Sequence, residues 1–272
     1  MTEPLAVGAV VYEPKVAVIW EIIGQFFEEQ GHPIDIAFYS NYDLQVQALL
    51  DQEIDIAWNS PLAWVDAQRR SDGRCKAIAM RDTDRDRTSY IVVKKGDGIE
   101  ELEGLRGVTV AVGAQDSPQA TLIPLGFLLR NGLRPEHDLQ VRRFDVLVGK
   151  HGDHVGGELE AFHSLERGDA AASTMLDLNW ERWTADGTIS PDEYRVLAAT
   201  ERFDHCVFTV REDLPRDRQE GWLQVLYSMS YDDPKHREMM DMEGLKEWLP
   251  GRTTGFGPLG DAVDRLSFFE ER

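Results

Sequence analysis

The sequence predicts an α/β protein of two similar lobes, each a mainly parallel sheet flanked by helices. Two observations carry this. Short apolar strand patterns alternate with helical ones, and a β-α-β-α rhythm implies parallel strands covered by helices on both faces. The second half repeats the rhythm with a local echo. Leu50-Asp51-Gln52-Glu53-Ile54-Asp55-Ile56-Ala57 and Leu165-Glu166-Arg167-Gly168-Asp169-Ala170-Ala171 both read as helix end, tight turn, aspartate, strand. With 272 residues there is room for two lobes of about 100–150 residues each.

The elements follow in order. Leu5–Val11 is an apolar strand. Pro14 opens a helix whose Val16, Ile19, Trp20, Ile23, Phe26 and Phe27 recur at helical spacing until Gly31. Ile34–Tyr39 alternates as a strand, Asn41 or Asp43 caps a helix through Leu50, and Ile54–Trp58 is a buried strand. Pro61–Arg70 is predicted as helix and Lys76–Met80 as strand. In the second half, strands are predicted at Ser89–Lys94, Val108–Val112, Gln140–Phe144, Ala170–Leu176, Val196–Ala199 and Val207–Arg211. Helices are predicted after Ser117-Pro118 to near Gly132, at Leu159–Leu165, Arg216–Met229 and Pro234–Met240, and in the tail from Leu259.

Composition narrows the function. Hydrophobic residues make up 42%, enough for a core. The net charge of −20 argues against nucleic acid and against anionic membranes as partners. No apolar run approaches the ~20 residues of a membrane span. Cys75 and Cys206 form no CxxC pair, so they read as buried reduced thiols, or as one disulfide in an oxidising compartment. The start, Met1-Thr2-Glu3, shows no basic segment or cleavage site. That predicts a cytoplasmic chain, or a periplasmic or other extracytoplasmic one if a leader has been removed.

Ligands in open α/β sheets bind at the carboxyl ends of strands. Four junctions qualify: Tyr12-Glu13-Pro14, Ser40-Asn41-Tyr42-Asp43, Asn59-Ser60-Pro61, and Asp116-Ser117-Pro118-Gln119-Ala120-Thr121. The last two put a hydroxyl at a helix N-cap and proline at the first helical position. Each is first of all a cap, but such an end also gathers N–H donors and the positive end of the helix dipole for an anion. His151-Gly152-Asp153-His154-Val155-Gly156-Gly157-Glu158 offers a surface loop, a cleft histidine, or a metal set of His151, His154 and Glu158. Asp204, His205 and Cys206 precede a strand. Neighbours on a strand face opposite ways, so His205 and Cys206 are not expected to touch. Asp177, Asn179 and Trp180 follow a strand and are further cleft candidates. No nucleophile elbow, zinc-protease, Walker or dinucleotide motif is present, and no cofactor is expected.

The run from Tyr42 to Trp64, YDLQVQALLDQEIDIAWNSPLAW, closely resembles the phosphate/phosphite/phosphonate-binding proteins of ABC importers, within the type 2 periplasmic binding-protein superfamily. The resemblance implies two α/β lobes joined by two crossover strands, here near Tyr90–Val93 and Phe203–Val207, closing around ligand by a hinge. It divides the chain into 1–90, 91–203 and a returning 204–272 whose helices pack on the first lobe. It also implies a ligand-contacting tyrosine at Tyr42, a histidine at His154 and an acid at Asp204. Of the hydroxyls the family places after the aspartate, Ser117 and Thr121 remain here, while Gln119 and Ala120 depart from the pattern; an anion stays the expected ligand.

The expectation is therefore a non-enzymatic binder of a small anionic or zwitterionic metabolite, held by Tyr12, Glu13, Tyr42, Asn59, Ser60, Ser117, Gln119, Thr121, His154, Asp177 and Asp204. An ABC permease or another protein would be its partner. Two alternatives stand beside it. One is an enzyme on the same scaffold using His154, Glu158, Asp204, His205 and Cys206. The other is a ligand sensor with a protein partner.

Overall fold

Six strands build the first sheet: Leu5–Val10 (β1), Ile34–Tyr39 (β2), Ile56–Asn59 (β3), Cys75–Arg81 (β4), Val207–Arg211 (β10) and Trp248–Pro250 (β11), numbered along the chain. This computed structural model describes residues 3–152 and 156–270. The spatial order is β11-β4-β10-β3-β1-β2. β1 lies parallel between β2 and β3, whereas β10 enters antiparallel to both β3 and β4. The parallel order that the β-α-β rhythm predicts is thus split in its middle by a strand from much later in the chain. β11, also antiparallel, extends the far edge.

The second sheet comprises Ser89–Lys94 (β5), Thr109–Val112 (β6), Gln140–Arg143 (β7), Ala172–Leu176 (β8) and Tyr194–Ala199 (β9), in the order β7-β6-β8-β5-β9. β6 is parallel to β7 and β8, and β5 runs antiparallel between β8 and β9. Both sheets are mixed for one reason: each contains a strand that has just come from, or is about to serve, the other half of the chain.

The helices are Pro14–Glu29 (α1), Tyr42–Leu50 (α2), Pro61–Arg70 (α3), Ile123–Arg130 (α4), Glu158–Glu166 (α5), Asp177–Ala185 (α6), Arg216–Tyr227 (α7), Pro234–Glu243 (α8) and Gly257–Arg265 (α9). The six apolar residues read at helical spacing in α1 are all buried. Gly31 takes φ +75° just past that helix, a conformation a side chain would disfavour. Trp222 of α7 stacks on Phe27 with centroids 5.5 Å apart, and Met239 and Met240 of α8 enter the same core.

The chain divides into two units. One holds residues to Arg85 together with Asp204–Thr254; the other holds Asp86–Phe203 and the segment from Gly255. The first passage thus falls at Arg85–Asp86, ahead of the expected crossover strand, and a third passage was not foreseen. α7 and α8 lie in the first unit, and α9 belongs to the second. There Gly126 of α4 lets α9 approach, since a Cβ at Gly126 would lie 2.6 Å from the Cβ of Ala262. The Arg130–Asp261 ion pair, at 2.7 Å, ties the same two helices.

Candidate functional site

Because β1, β2 and β3 are parallel, their carboxyl ends share one edge of the first unit's sheet. Val10 is level with Tyr39, and Gly8 with Ala57, which brings Asn59 to the same edge. Glu13 is the N-cap of α1 but its side chain makes no cap bond; its carboxylate pairs with Lys15 at 2.8 Å. Tyr12 is half-buried. Asn41 Oδ1 accepts from the Leu44 N–H and caps α2, which places Tyr42 in its first turn, 1% exposed. Ser60 Oγ accepts from the Ala63 N–H and caps α3.

Asn59 is the notable residue of this edge. It is fully buried, and its Oδ1 accepts from Gln45 Nε2 at 2.8 Å. The same Nε2 donates to the Trp58 carbonyl, so Gln45 fixes the end of β3. Asn59 Nδ2 has no partner. A buried donor left unsatisfied costs about 1–3 kcal/mol, which a ligand oxygen would relieve.

In the second unit, the residues after β6 do not form a plain α-helix. Pro118–Leu122 is a π turn: the Leu122 N–H bonds the Ser117 carbonyl and the Ile123 N–H bonds that of Pro118. Pro124 explains it. A proline has no N–H to return to residue 120, and residues near it lose the regular ladder. The freed carbonyls find other donors: Ser89 Oγ donates to Gln119 O at 2.5 Å, while Thr174 Oγ1 and the Gly113 N–H donate to Ala120 O. Such single π turns often mark functional sites. Ser117, fully buried, accepts from the Ala120 N–H and keeps its own hydroxyl proton for another acceptor.

The glycine-rich loop closes over this turn. Ala114 N–H donates to Gly156 O, and a Cβ at Gly113 would lie 2.5 Å from that oxygen and 2.6 Å from the Ala120 Cβ. Gly113→Ala should therefore destabilise the protein by about 1–3 kcal/mol through overpacking, read as a lower urea midpoint. An unchanged midpoint would show that the loop yields without cost.

Gln119 was expected to face ligand. Its Nε2 reaches Gly152 O at 3.4 Å and Glu158 Oε1 at 3.2 Å, while its Oε1 is buried with no hydrogen-bond partner. Glu158 Oε2 takes the Leu176 N–H at 2.9 Å and Asn179 Nδ2 at 2.7 Å. This fully buried carboxylate therefore ties the π turn, the end of β8 and α6 together. Asp116 Oδ2 accepts from the Gly149 N–H and anchors the loop's other end. Thr121 is 1% exposed and borders a groove of about 670 Å³ shared with Leu125, Arg134, Arg265 and Phe268. Asp177 opens α6, accepts the Thr88 and Leu178 N–H groups, and lies 3.7 Å from Arg87. Burial raises its pKa, opposed by the Arg87 charge. His154 lies outside the described residues. His151 is buried, with φ +54°.

The expectation that His205 and Cys206 stay apart fails. Both precede β10, so strand alternation does not govern them, and His205 Nδ1 is 3.1 Å from Cys206 Sγ. Asp84 joins them: its Oδ1 accepts the Cys206 N–H at 3.2 Å and lies 3.5 Å from His205 Nδ1. Among the described residues these three could hold one ion, whereas His151 and Glu158 do not enter such a group. A cation fits poorly here, because Arg81 already grips both oxygens of Asp84 at 2.7 Å each. Cys75 and Cys206 are both free and buried. Asp204, 1% exposed, precedes β10, whose Val207 is level with Asn59, so it extends past the same edge. Arg252, which no sequence pattern singled out, binds it through Nε–Oδ2 at 2.6 Å and Nη2–Oδ1 at 2.5 Å.

These paired α/β units, with capped helix starts at strand ends, have the architecture of a substrate-binding protein. The family model described as "ABC transporter, phosphonate, periplasmic substrate-binding protein" matches residues 12–254, and the chain belongs to that family. PhnD1 of Prochlorococcus marinus (strain MIT 9301), named as a probable ABC transporter phosphite binding protein, is 20% identical over 237 residues, 84% of this chain and 76% of that one. The structure of PhnD1 from Prochlorococcus marinus (MIT 9301) in complex with methylphosphonate is similar at TM-score 0.72 and 17% identity, covering 97% of this chain and 98% of the other. XAC2383 from Xanthomonas citri, solved bound to ATP, is similar at TM-score 0.75 and 17% identity, covering 98% and 99%. At these identities the structural likeness speaks for the fold. No helix among the described residues is long and apolar enough to cross a membrane.

Proposed function

We propose that the chain is the ligand-binding component of an ABC importer for a small tetrahedral oxyanion of the phosphonate, phosphite or phosphate class. It would hold the anion by closing its two units about their connecting segments. The observation that carries this is Asn59 Nδ2, a fully buried donor with no partner at the carboxyl edge of β3. The Ser117 hydroxyl, at the Pro-started turn after β6, would be its counterpart in the second unit. Tyr12, Tyr42, Ser60 and His154 are the further contacts of this reading, and an ABC permease is the partner it requires. Family membership and the relative named for phosphite support the ligand class.

The enzyme alternative gains no support from the Asp84–His205–Cys206 cluster, whose members are all buried and whose carboxylate is committed to Arg81.

Thermal shift with phosphite, methylphosphonate, phosphate, sulfate and ATP tests the proposal. A ligand at 100 times its Kd adds about 2.7 kcal/mol of stability. Losing a hydrogen bond to a charged ligand costs ~1.5–3 kcal/mol, so Ser117→Ala should weaken binding about 10–100-fold. Asn59→Asp, which sets a carboxylate against the anion, should abolish it. Unchanged affinity in both variants would sink the assignment.

A further inference from the structure

We infer that Arg252 makes this site selective for oxyanions that carry no ammonium group, an inference that rests on the function proposed above. Asp204 extends past the edge that holds Asn59, and it would be the natural counter-ion for a ligand amine. Arg252 takes both of its oxygens in two parallel N–H···O bonds, at 2.6 and 2.5 Å. This planar fork is pre-organised for carboxylate and stays charged at all working pH. The Asp204 side chain is 0% exposed and that of Arg252 is 31% exposed, so the outward side of the pair is cationic. An incoming ammonium would meet a guanidinium and would have to displace it from a buried carboxylate.

Four other carboxylates named above have partners as well. Glu13 pairs with Lys15, and Asp84 with Arg81. Asp177 accepts two backbone N–H groups beside Arg87, and Glu158 accepts from Gln119, Leu176 and Asn179. An oxyanion has donors to meet, whereas an amine has no uncommitted carboxylate among these.

Calorimetry with ethylphosphonate and 2-aminoethylphosphonate, which differ by one ammonium group, provides the test on the full chain. Wild type should bind ethylphosphonate at least about tenfold more tightly, a difference of ~1.4 kcal/mol. Arg252→Ala, which releases Asp204, should reduce or reverse that ratio by about tenfold or more. Equal or tighter binding of the amine by wild type would overturn the inference and leave anion binding standing. A wild-type preference that Arg252→Ala leaves untouched would overturn the role of Arg252. If neither compound binds, nor phosphite, phosphate or methylphosphonate, the proposed function itself falls and the inference with it. Should Arg252→Ala fail to fold, the wild-type ratio decides, with Arg252→Gln as the variant that retains an amide on Asp204.

Discussion

Asp84→Ala should destabilise the protein by about 3–5 kcal/mol, the cost of breaking a buried ion pair from one side. Asp84 and Arg81 are 1% and 3% exposed, and the guanidinium binds both carboxylate oxygens. Arg81 also reaches Glu243 through Nη1, to the carbonyl at 2.9 Å and to Oε1 at 3.1 Å, and stands over the Trp58 ring at 5.2 Å. Removing Asp84 leaves this buried cation with the partial compensation of Glu243, and strips the Cys206 N–H of its acceptor. Urea unfolding reads the loss. A triple variant with Arg81→Met, Asp84→Leu and Glu243→Gln should recover much of it, because the buried cation and both carboxylates that face it are removed together. A loss below about 1 kcal/mol in the single variant would mean the pair acts like a surface one.

The pH dependence of the same pair has a definite sign. Burial pushes the Asp84 carboxyl up, but the Arg81 charge and hydrogen bonds, with those of His205, outweigh it and hold the carboxyl well below its usual range. The folded state therefore binds this proton less readily than the unfolded chain. The stability it contributes is fully present above the unfolded value of about 3.9, and it is lost as pH falls from there towards the folded value. Asp84→Ala should flatten that acid limb of the stability curve as pH falls below about 4.

The parts of this fold that periodicity encodes were legible. α1 is set by its six apolar positions, and β3 into α3 by an apolar run followed by Asn59-Ser60-Pro61; α1 and α3 form where expected, and β3 spans Ile56–Asn59 rather than Ile54–Trp58. What the sequence hid depends on distant partners. β10 sits between β3 and β4, and β11 beside β4, because of pairings across more than 100 residues that leave no local mark. α6 was missed because it begins directly after Leu176, the last residue of β8, with no turn residue between them. The π turn was missed because its cause, Pro124, acts by freeing the Ala120 carbonyl, whose donors, Gly113 and Thr174, come from elsewhere in the chain. At the site, the Ser60 and Ser117 caps were readable as local chemistry. The commitment of Gln119 to Glu158 and of Asp204 to Arg252 was not, since each is a side-chain match between segments more than thirty residues apart.

Phe208→Ala should cost a further ~3–5 kcal/mol, the usual range for removing a buried phenyl ring. Phe208 lies on β10, 1% exposed, and is ringed by four tryptophans. Centroids lie 6.1 Å away for Trp20, 4.6 Å for Trp58, 4.8 Å for Trp222 and 5.5 Å for Trp248. Few positions would leave so large a cavity, and tryptophan fluorescence and near-UV circular dichroism would report it directly. The consequence extends to the site. Trp58 is the residue before Asn59, and its carbonyl and the Asn59 side chain share one donor, Gln45 Nε2. If Trp58 relaxes into the cavity, the Asn59 amide loses its fixed aim and oxyanion affinity should fall although Phe208 touches no ligand. Phe208→Leu, which fills most of the space, should restore affinity more than it restores stability. If Phe208→Ala lowers stability as stated yet binds the oxyanion with unchanged affinity, the packing beneath Trp58 does not position Asn59, and Gln45 alone does.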